Sequence, residues 1–390
     1  MDYKCTNQFE FTLPTKIVYG CGVLQRLAEE VTAAGGSKVL IVTDKGIAAA
    51  GIVTKVTDLL DEAGLPYTIY DGVEANPKDV NAEDGARAAR KIGADCMIAV
   101  GGGSPIDCAK AIGVLLGHDA EFIKPYEGKT AATLPGPPLI TVPTTSGTGS
   151  EITFSSVITD TKNKYKMTIK SPFTAATTAV CDPELTLSVP PMVTATTGVD
   201  ALTHAIEGFT AVNSEPIGDA AALYSIELIA QNLVRAVENG SDIEARSNML
   251  MASMLGGMSF SHSDVASVHC IAEALGSMYD LPHGTCNAIF LPYVMEYNMD
   301  YCTDRYARVA TAMGLTWETE EEGAKKAVAF VKQLTKDVHL PAFASLDPDP
   351  ADFPKLAEMS VNNGSNEDNP RPMTQQDYEV LLDIVYRAGE

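Results

Sequence analysis

Two short stretches carry most of the histidines that could do chemistry. "TTGVDALTHAIEG" (196–208) places Asp200 and His204 four residues apart. A helix would bring both to one face among small apolar residues. "VHCIAEALGSMYDLPHG" (268–284) holds His269 in a helical pattern and His283 in what reads as a turn. Glu273 sits four residues after His269, on the same helical face. A buried aspartate needs a partner, and a metal is one option. One carboxylate and three imidazoles suit Fe(II), Zn(II), Mn(II) or Ni(II) without any thiolate. The HExxH pattern of zinc proteases does not apply, because Cys270 follows His269 and Glu273 takes the i+4 place. An Asp–His hydrogen bond on a helix surface accounts for the first stretch equally well. Spacing alone does not make the four side chains converge.

A second group of residues suits a phosphate. In "AVGGGSPIDCAKAIG" (99–113) a strand pattern runs into a triple glycine and then a helix. Glycines let backbone N–H groups approach a phosphate, and the helix N-terminus adds partial positive charge. Gly101, Gly102, Gly103 and Ser104 would then cradle a pyrophosphate; a plain chain-redirecting turn is the competing explanation. Asp44 ends the strand pattern "LIVTD". A carboxylate there can bind an adenosine ribose and would repel a 2′-phosphate, favouring NAD over NADP; it can equally cap the next helix. "TVPTTSGTGSE" (141–151) is rich in hydroxyls and glycine, which suits either a nucleotide wall or a polar loop.

The elements that must position these residues fall into two regions. Through the first half, apolar runs such as "KVLIVTD", "CMIAVGGG" and "PLITVPTT" alternate with helical patterns. That alternation predicts βαβ units and a parallel sheet, whose ligands bind at the strands' C-terminal ends. Prolines 183, 190 and 191 punctuate the change of texture, and long helical patterns follow. The expected division is an α/β dinucleotide-binding domain over 1–186 and an all-α metal-binding domain over 187–390, with the boundary within roughly 183–191.

Composition narrows the partners. Hydrophobic residues make up 45% of 390 residues, enough for sizeable cores. A net charge of −23 argues against nucleic acid and anionic membranes. The eight cysteines, from Cys5 to Cys302, are scattered with no CxxC pair, as expected of reduced thiols. The N-terminal "MDYKCTNQFEF" has no apolar core of signal-peptide length, and no apolar run is long enough to span a bilayer. A soluble, cytoplasmic protein is expected.

Taken together, "TKIVYGCG", "VTD", "GGGSPIDCAK", "PTTSGTGSE", "CDPELTLSVPP", "TGVDALTHAIE" and "PHGTCNAIFLP" closely resemble the iron-containing, or group III, alcohol dehydrogenases, in that family's order from residue 15 to about 293. The resemblance implies a Rossmann-like N-terminal domain, a helical C-terminal domain and a cleft between them. It implies a metal held by Asp200, His204, His269 and His283. NAD contacts carry over to Asp44, Asn76, Gly102, Gly103, Ser104, Thr144, Thr145, Ser150 and Lys166. The metal would act as a Lewis acid on the substrate oxygen while the cofactor carries the hydride. Two positions depart from the family's pattern. Glu273 stands where a proton-relay histidine is common, and His262 where an asparagine is common. Both are taken as catalytic candidates, and with Asp264 nearby they suggest a polar pocket. The resulting expectation is an NAD(H)- and metal-dependent alcohol dehydrogenase or aldehyde reductase, with Fe(II) first and Zn(II) second. Its substrate would be a small primary alcohol or aldehyde, with those bearing a second polar or anionic group, such as a diol, a semialdehyde or sulfoacetaldehyde, among the candidates. A zinc polyol dehydrogenase or a dehydroquinate synthase-like lyase of the same superfamily is the alternative, and a non-enzymatic binding protein on this fold a third. The resemblance also implies a homodimer or higher homo-oligomer.

Overall fold

Strand segments with no polar face need apolar cover on both sides, and that requirement shapes the first half of the chain. The computed structural model describes residues 8–388. They form two units: residues 13–189, and residues 190–388 together with 8–12. In the first unit, strands β1 (Lys16–Tyr19), β2 (Val39–Val42), β3 (Tyr67–Tyr70), β4 (Cys96–Gly101), β5 (Leu139–Pro143) and β8 (Thr178–Cys181) make one parallel sheet in the order β1-β8-β5-β4-β2-β3. Strands β6 (Ser155–Asp160) and β7 (Tyr165–Lys170) form a separate antiparallel pair. The helices of this unit are α1 (Leu27–Ala33), α2 (Lys45–Ala49), α3 (Ile52–Glu62), α4 (Asp79–Ile92) and α5 (Gly103–Gly117).

Side chains alternate across the sheet, so each central strand feeds two cores. Leu40, Val42, Met97 and Ala99 pack in one core with Ala82 and Ala86 of α4 and Ile106 and Ile112 of α5. Val39, Ile41, Ile98 and Val100 pack in the other with Leu27 and Val31 of α1 and Val53 and Val56 of α3. After β2 the chain steps outward to β3 and then returns to the other side of β2 as β4. The crevice at the C-terminal ends of β2 and β4 is therefore the topological switch point, where open α/β sheets bind ligands. Asp44 and the glycine turn flank it.

The second unit contains α6 (Pro191–Thr210), α7 (Pro216–Glu238), α8 (Ile243–Ser263), α9 (Ser267–Tyr279), α10 (His283–Asn298), α11 (Thr303–Ala312), α12 (Glu320–Asp337), α13 (Phe353–Val361) and α14 (Gln375–Arg387). Pro191 opens α6 at its first turn, where the missing N–H costs nothing. From Thr194 onward nearly every residue of α6 is buried, so α6 is the central helix, packed against α7, α8 and α10. Residues 8–12 join this unit through Phe11 and Thr12, which dock on His262 of α8. Nothing in the alternation of strand and helix patterns signals that return. Cys5 lies outside the described residues, and none of the described cysteines is joined in a disulfide. No helix among the described residues is long and apolar enough to cross a membrane.

The start of α10 is pressed against α6. A Cβ at Gly284 would lie 2.9 Å from the Thr196 carbonyl oxygen and 3.4 Å from Asp200 Cβ. Backbone cannot yield as a flexible side chain would, so Gly284→Ala must push the two helices apart. We expect it to cost about 1–3 kcal/mol of stability, as overpacked positions do, measured by urea denaturation. An unchanged midpoint would show that α10 is not pinned there.

Candidate active site

Burial of α6 on all sides carries Asp200 and His204 into the interior, at 1% and 4% exposure. Packing of α10 on α6, and of α9 on α10, brings His283 and His269 to them. One ligating atom from each of the four lies within 4.8 Å of the others. Nε2 of His204 and Nε2 of His269 face each other at 2.9 Å. Asp200 and His204 approach no closer than 3.9 Å, so a direct Asp–His hydrogen bond does not explain the pair. His283 differs from the turn position expected of it. It is the first residue of α10, because Pro282, in extended conformation, serves as the N-cap.

Two further residues complete the cluster. Glu207 is 3% exposed, and its Oε2 lies 2.5 Å from Nδ1 of His269. Asn287, fully buried, donates from Nδ2 to Asp200 Oδ1 at 2.7 Å and lies 3.1 Å from Nε2 of both His269 and His283. Both stood in the stretches that drew attention, Glu207 three residues after His204 and Asn287 four after His283. Their helical spacing from a ligand was the available signal, but spacing does not say which neighbour turns inward. Phe260 of α8 stacks on the His204 ring at 4.4 Å and closes that side.

The donor set fits a divalent cation. A buried carboxylate and three imidazole nitrogens converge, and Asn287 Oδ1 beside them has no hydrogen-bond partner among the described residues. Burial disfavours the His269 imidazolium, but the Glu207 carboxylate, with Asp200 and Glu273 adding to it, holds the pKa above the ordinary histidine value. The cluster attracts positive charge.

The departures from the family's pattern are placed differently from each other. Glu273 is half-buried on α9, and its Oε2 accepts from Asn363 Nδ2 at 2.6 Å. His262 was expected to face substrate. Instead its ring stacks on Phe11 at 4.1 Å, and Nε2 lies 3.0 Å from the Thr12 amide nitrogen. Its Nδ1 is 3.2 Å from the Met258 carbonyl oxygen. The ring thus anchors residues 8–12. Asp264 accepts from Ser365 Oγ at 3.3 Å.

In the first unit, the nucleotide candidates gather at the strands' C-terminal ends. Gly101 has φ 149°, and a Cβ at Gly102 would come 2.9 Å from Thr145 Oγ1. Glycine is required here because the hydroxyl loop lies directly on the turn. The Thr144 amide donates to the Gly101 carbonyl at 3.0 Å, and Thr144 Oγ1 is buried without a hydrogen-bond partner among the described residues. No side chain caps the start of α5, so the N–H groups around Gly103 and Ser104 stay open to an anion. Asp44 does cap α2, accepting from the Ile47 amide at 2.9 Å through Oδ1. Asn76 adopts a left-handed conformation in the loop after β3, with φ 50°. Lys166 lies on β7, close enough to act electrostatically on Asp107.

Ser150 is unlike the others. Its hydroxyl donates to Asp107 and accepts from Lys110 at 3.1 Å, so it is committed inward. Lys110 is 1% exposed and also reaches Thr153 Oγ1 and the Ser155 carbonyl, each at 2.8 Å. This buried ammonium ties the segment after the hydroxyl loop to α5. A sequence reading cannot distinguish such a lysine from a surface one.

Beside it, Glu151 is 2% exposed with Oε1 unpartnered among the described residues. Burial pushes its carboxyl up to about 7, against the pull of its own amide and of Lys110. Burial pushes Lys110 down to about 8, with Asp107 and Glu151 opposing. A carboxyl raised above its unfolded value stabilises the fold when protonated, and that contribution is lost as pH rises from about 4.5 to about 7. The Lys110 effect falls higher, between about 8 and 10.5. Urea denaturation across pH 4.5 to 7.5 is expected to show Glu151→Gln losing part of the wild-type decline. Parallel curves for the two proteins would contradict this.

The chain matches the iron-containing alcohol dehydrogenase model over residues 14–183 and the C-terminal model of the Fe-containing alcohol dehydrogenase family over residues 194–386. It is 40% identical over 387 residues to the 1,3-propanediol dehydrogenase of Klebsiella pneumoniae, covering 98% of this chain and 99% of that protein. It is 38% identical over 373 residues to lactaldehyde reductase of Escherichia coli K12, covering 94% and 97%. The crystal structure of sulfoacetaldehyde reductase from Bifidobacterium kashiwanohense in complex with NAD+ superposes with a TM-score of 0.88 at 28% identity, over 97% and 99% of the two chains. With both halves matched and relatives aligned end to end, the chain belongs to the iron-containing alcohol dehydrogenase family of metal- and NAD-dependent oxidoreductases acting on CH–OH groups.

Proposed function

We propose that this protein interconverts a small primary alcohol and its aldehyde, using NAD(H) and an iron(II) ion, on a substrate that carries a second polar or anionic group. The observation that carries the reading is the convergence of Asp200, His204, His269 and His283 from α6, α9 and α10. Iron is preferred on the family's description, with zinc second, since the N/O donor set accommodates both. The substrate class follows the named relatives, which act on a propanediol, on lactaldehyde and on sulfoacetaldehyde. A polar group close to His269 agrees with it: Glu273, which acts on that ring electrostatically and is held by Asn363.

Each group of residues has a definable task. Asp200, His204, His269 and His283 would hold the ion. When bound, the metal supplies Lewis acidity to the substrate oxygen and the nicotinamide supplies or accepts the hydride. The N-terminus of α5, with Gly102, Gly103 and Ser104, would bind the pyrophosphate. Asp44 would accept from the adenosine ribose and reject a 2′-phosphate. Thr144, Thr145 and Asn76 would line the nucleotide, with Lys166 near it. Ser150, held by Asp107 and Lys110, would shape the wall from behind. Glu273, anchored by Asn363, is assigned to proton handling, whereas His262 is assigned to docking residues 8–12.

Protein reconstituted separately with Fe(II) and Zn(II) is expected to consume NADH with at least one small polar aldehyde, read at 340 nm. Asp200→Ala and His269→Ala should each bind metal measurably more weakly than wild type and lose that activity. Failure of every aldehyde with both metals would refute the reading. For Glu273→Gln we expect unchanged metal stoichiometry and NAD affinity but a shifted pH–rate profile. Loss of metal in that variant would instead make Glu273 a ligand.

A further inference from the structure

We propose that Glu207 is a positioning residue for the metal centre, holding His269 in one tautomer and one orientation. The inference rests on the metal reading above and concerns a residue outside the ligand set. Three donors meet the two oxygens of this buried carboxylate. Oε2 accepts from His269 Nδ1 at 2.5 Å and from the Ala266 amide at 3.0 Å. Oε1 accepts from the Val268 amide at 2.7 Å. Both oxygens of Glu207 already accept from backbone amides, so the contact places Nδ1 of His269 as the donor. That leaves the Nε2 lone pair facing His204 Nε2 at 2.9 Å and Asn287 Nδ2 at 3.1 Å, in the midst of the other ligating atoms.

Geometry explains why one side chain does both jobs. Glu207 lies one helical turn beyond His204 on α6, so the helix that carries two ligands also orients the third. The Ala266 and Val268 amides belong to the open start of α9, which has no side-chain cap of its own from Ala266. Glu207 supplies that cap from across the helix interface, and negative charge is favourable at a helix N-terminus. His269 is the third residue of α9. The carboxylate therefore sets where α9 begins and how its ligand ring is turned. Outer carboxylates on ligating imidazoles raise the ring's basicity and fix its direction.

Chelator competition with Zn(II) on folded apoprotein provides the test, with circular dichroism and thermal unfolding run in parallel. A glutamine at 207 offers one acceptor oxygen where three donors converge, so it must turn its amide N–H groups against either His269 and Ala266 or Val268. Glu207→Gln is expected to weaken Zn(II) binding roughly 10- to 100-fold. In a His269→Ala background the same substitution should weaken binding no further, because Glu207 acts through that ring. Should Glu207→Gln fail to fold, Glu207→Asp takes its place, keeping the charge but withdrawing it from His269 by one methylene. Full Zn(II) affinity in a folded variant, with only thermal stability lowered, would reduce Glu207 to a helix cap and overturn the proposal. An additional loss in the His269→Ala background would overturn it too. If wild-type protein itself binds neither Zn(II) nor Fe(II), the metal reading fails first, and that outcome is distinct from a variant matching a metal-binding wild type.

Discussion

A carboxylate and three imidazoles crowded into a buried space are unfavourable unless something satisfies them, and much of the helical unit is organised around that constraint. It demands a helix buried on all sides, which α6 is, and close partners on several of its faces. Close partners in turn demand small residues at the contacts. Gly284 lets the start of α10 reach α6, and Gly208 lies where a side chain would meet Ser259 and the Phe260 backbone of α8. Around the ligands, Glu207 and Asn287 restrain rings and carboxylate, so few rotamers remain to be frozen when an ion enters.

The nucleotide unit solves a different problem with different means. Its proposed anion site would be built from backbone: a glycine turn, the uncapped N-terminus of α5 and a hydroxyl loop laid against the turn. Backbone cannot be aimed by rotamer choice, so the loop itself must be held in place. The buried Lys110, bonded to Ser150, Thr153 and the Ser155 carbonyl, and Asp107, bonded to Ser150 and the Val157 amide, hold it. Such a buried cation is tolerable only because its donors are met and two acids lie close. The protein is strongly acidic overall, yet a local anion site can rest on the partial charges of N–H groups rather than on net charge.

Local spacing put Asp200 and His204 on one helical face and marked the glycine turn, while the set of Asp200, His204, His269 and His283 was legible only through the resemblance of whole motifs to a family. Asp200 and His204 share a helical face wherever that helix sits, whereas three consecutive glycines after an apolar strand fit a phosphate cradle and a plain turn alike. The parallel sheet was legible for the same reason, since apolar runs and helical periods each declare themselves over a few residues. Glu207, Asn287, Lys110 and the docking of Phe11 and Thr12 on His262 were not. Each is defined by a contact between segments that the chain order does not relate: Glu207 meets His269 62 positions away, and Thr12 meets His262 250 positions away. Residue type and period state what a side chain can do and which face of its own element it occupies. Which partner meets it across an interface, and so whether a glutamate caps a helix, orients a ligand or faces water, is decided only when the helices pack.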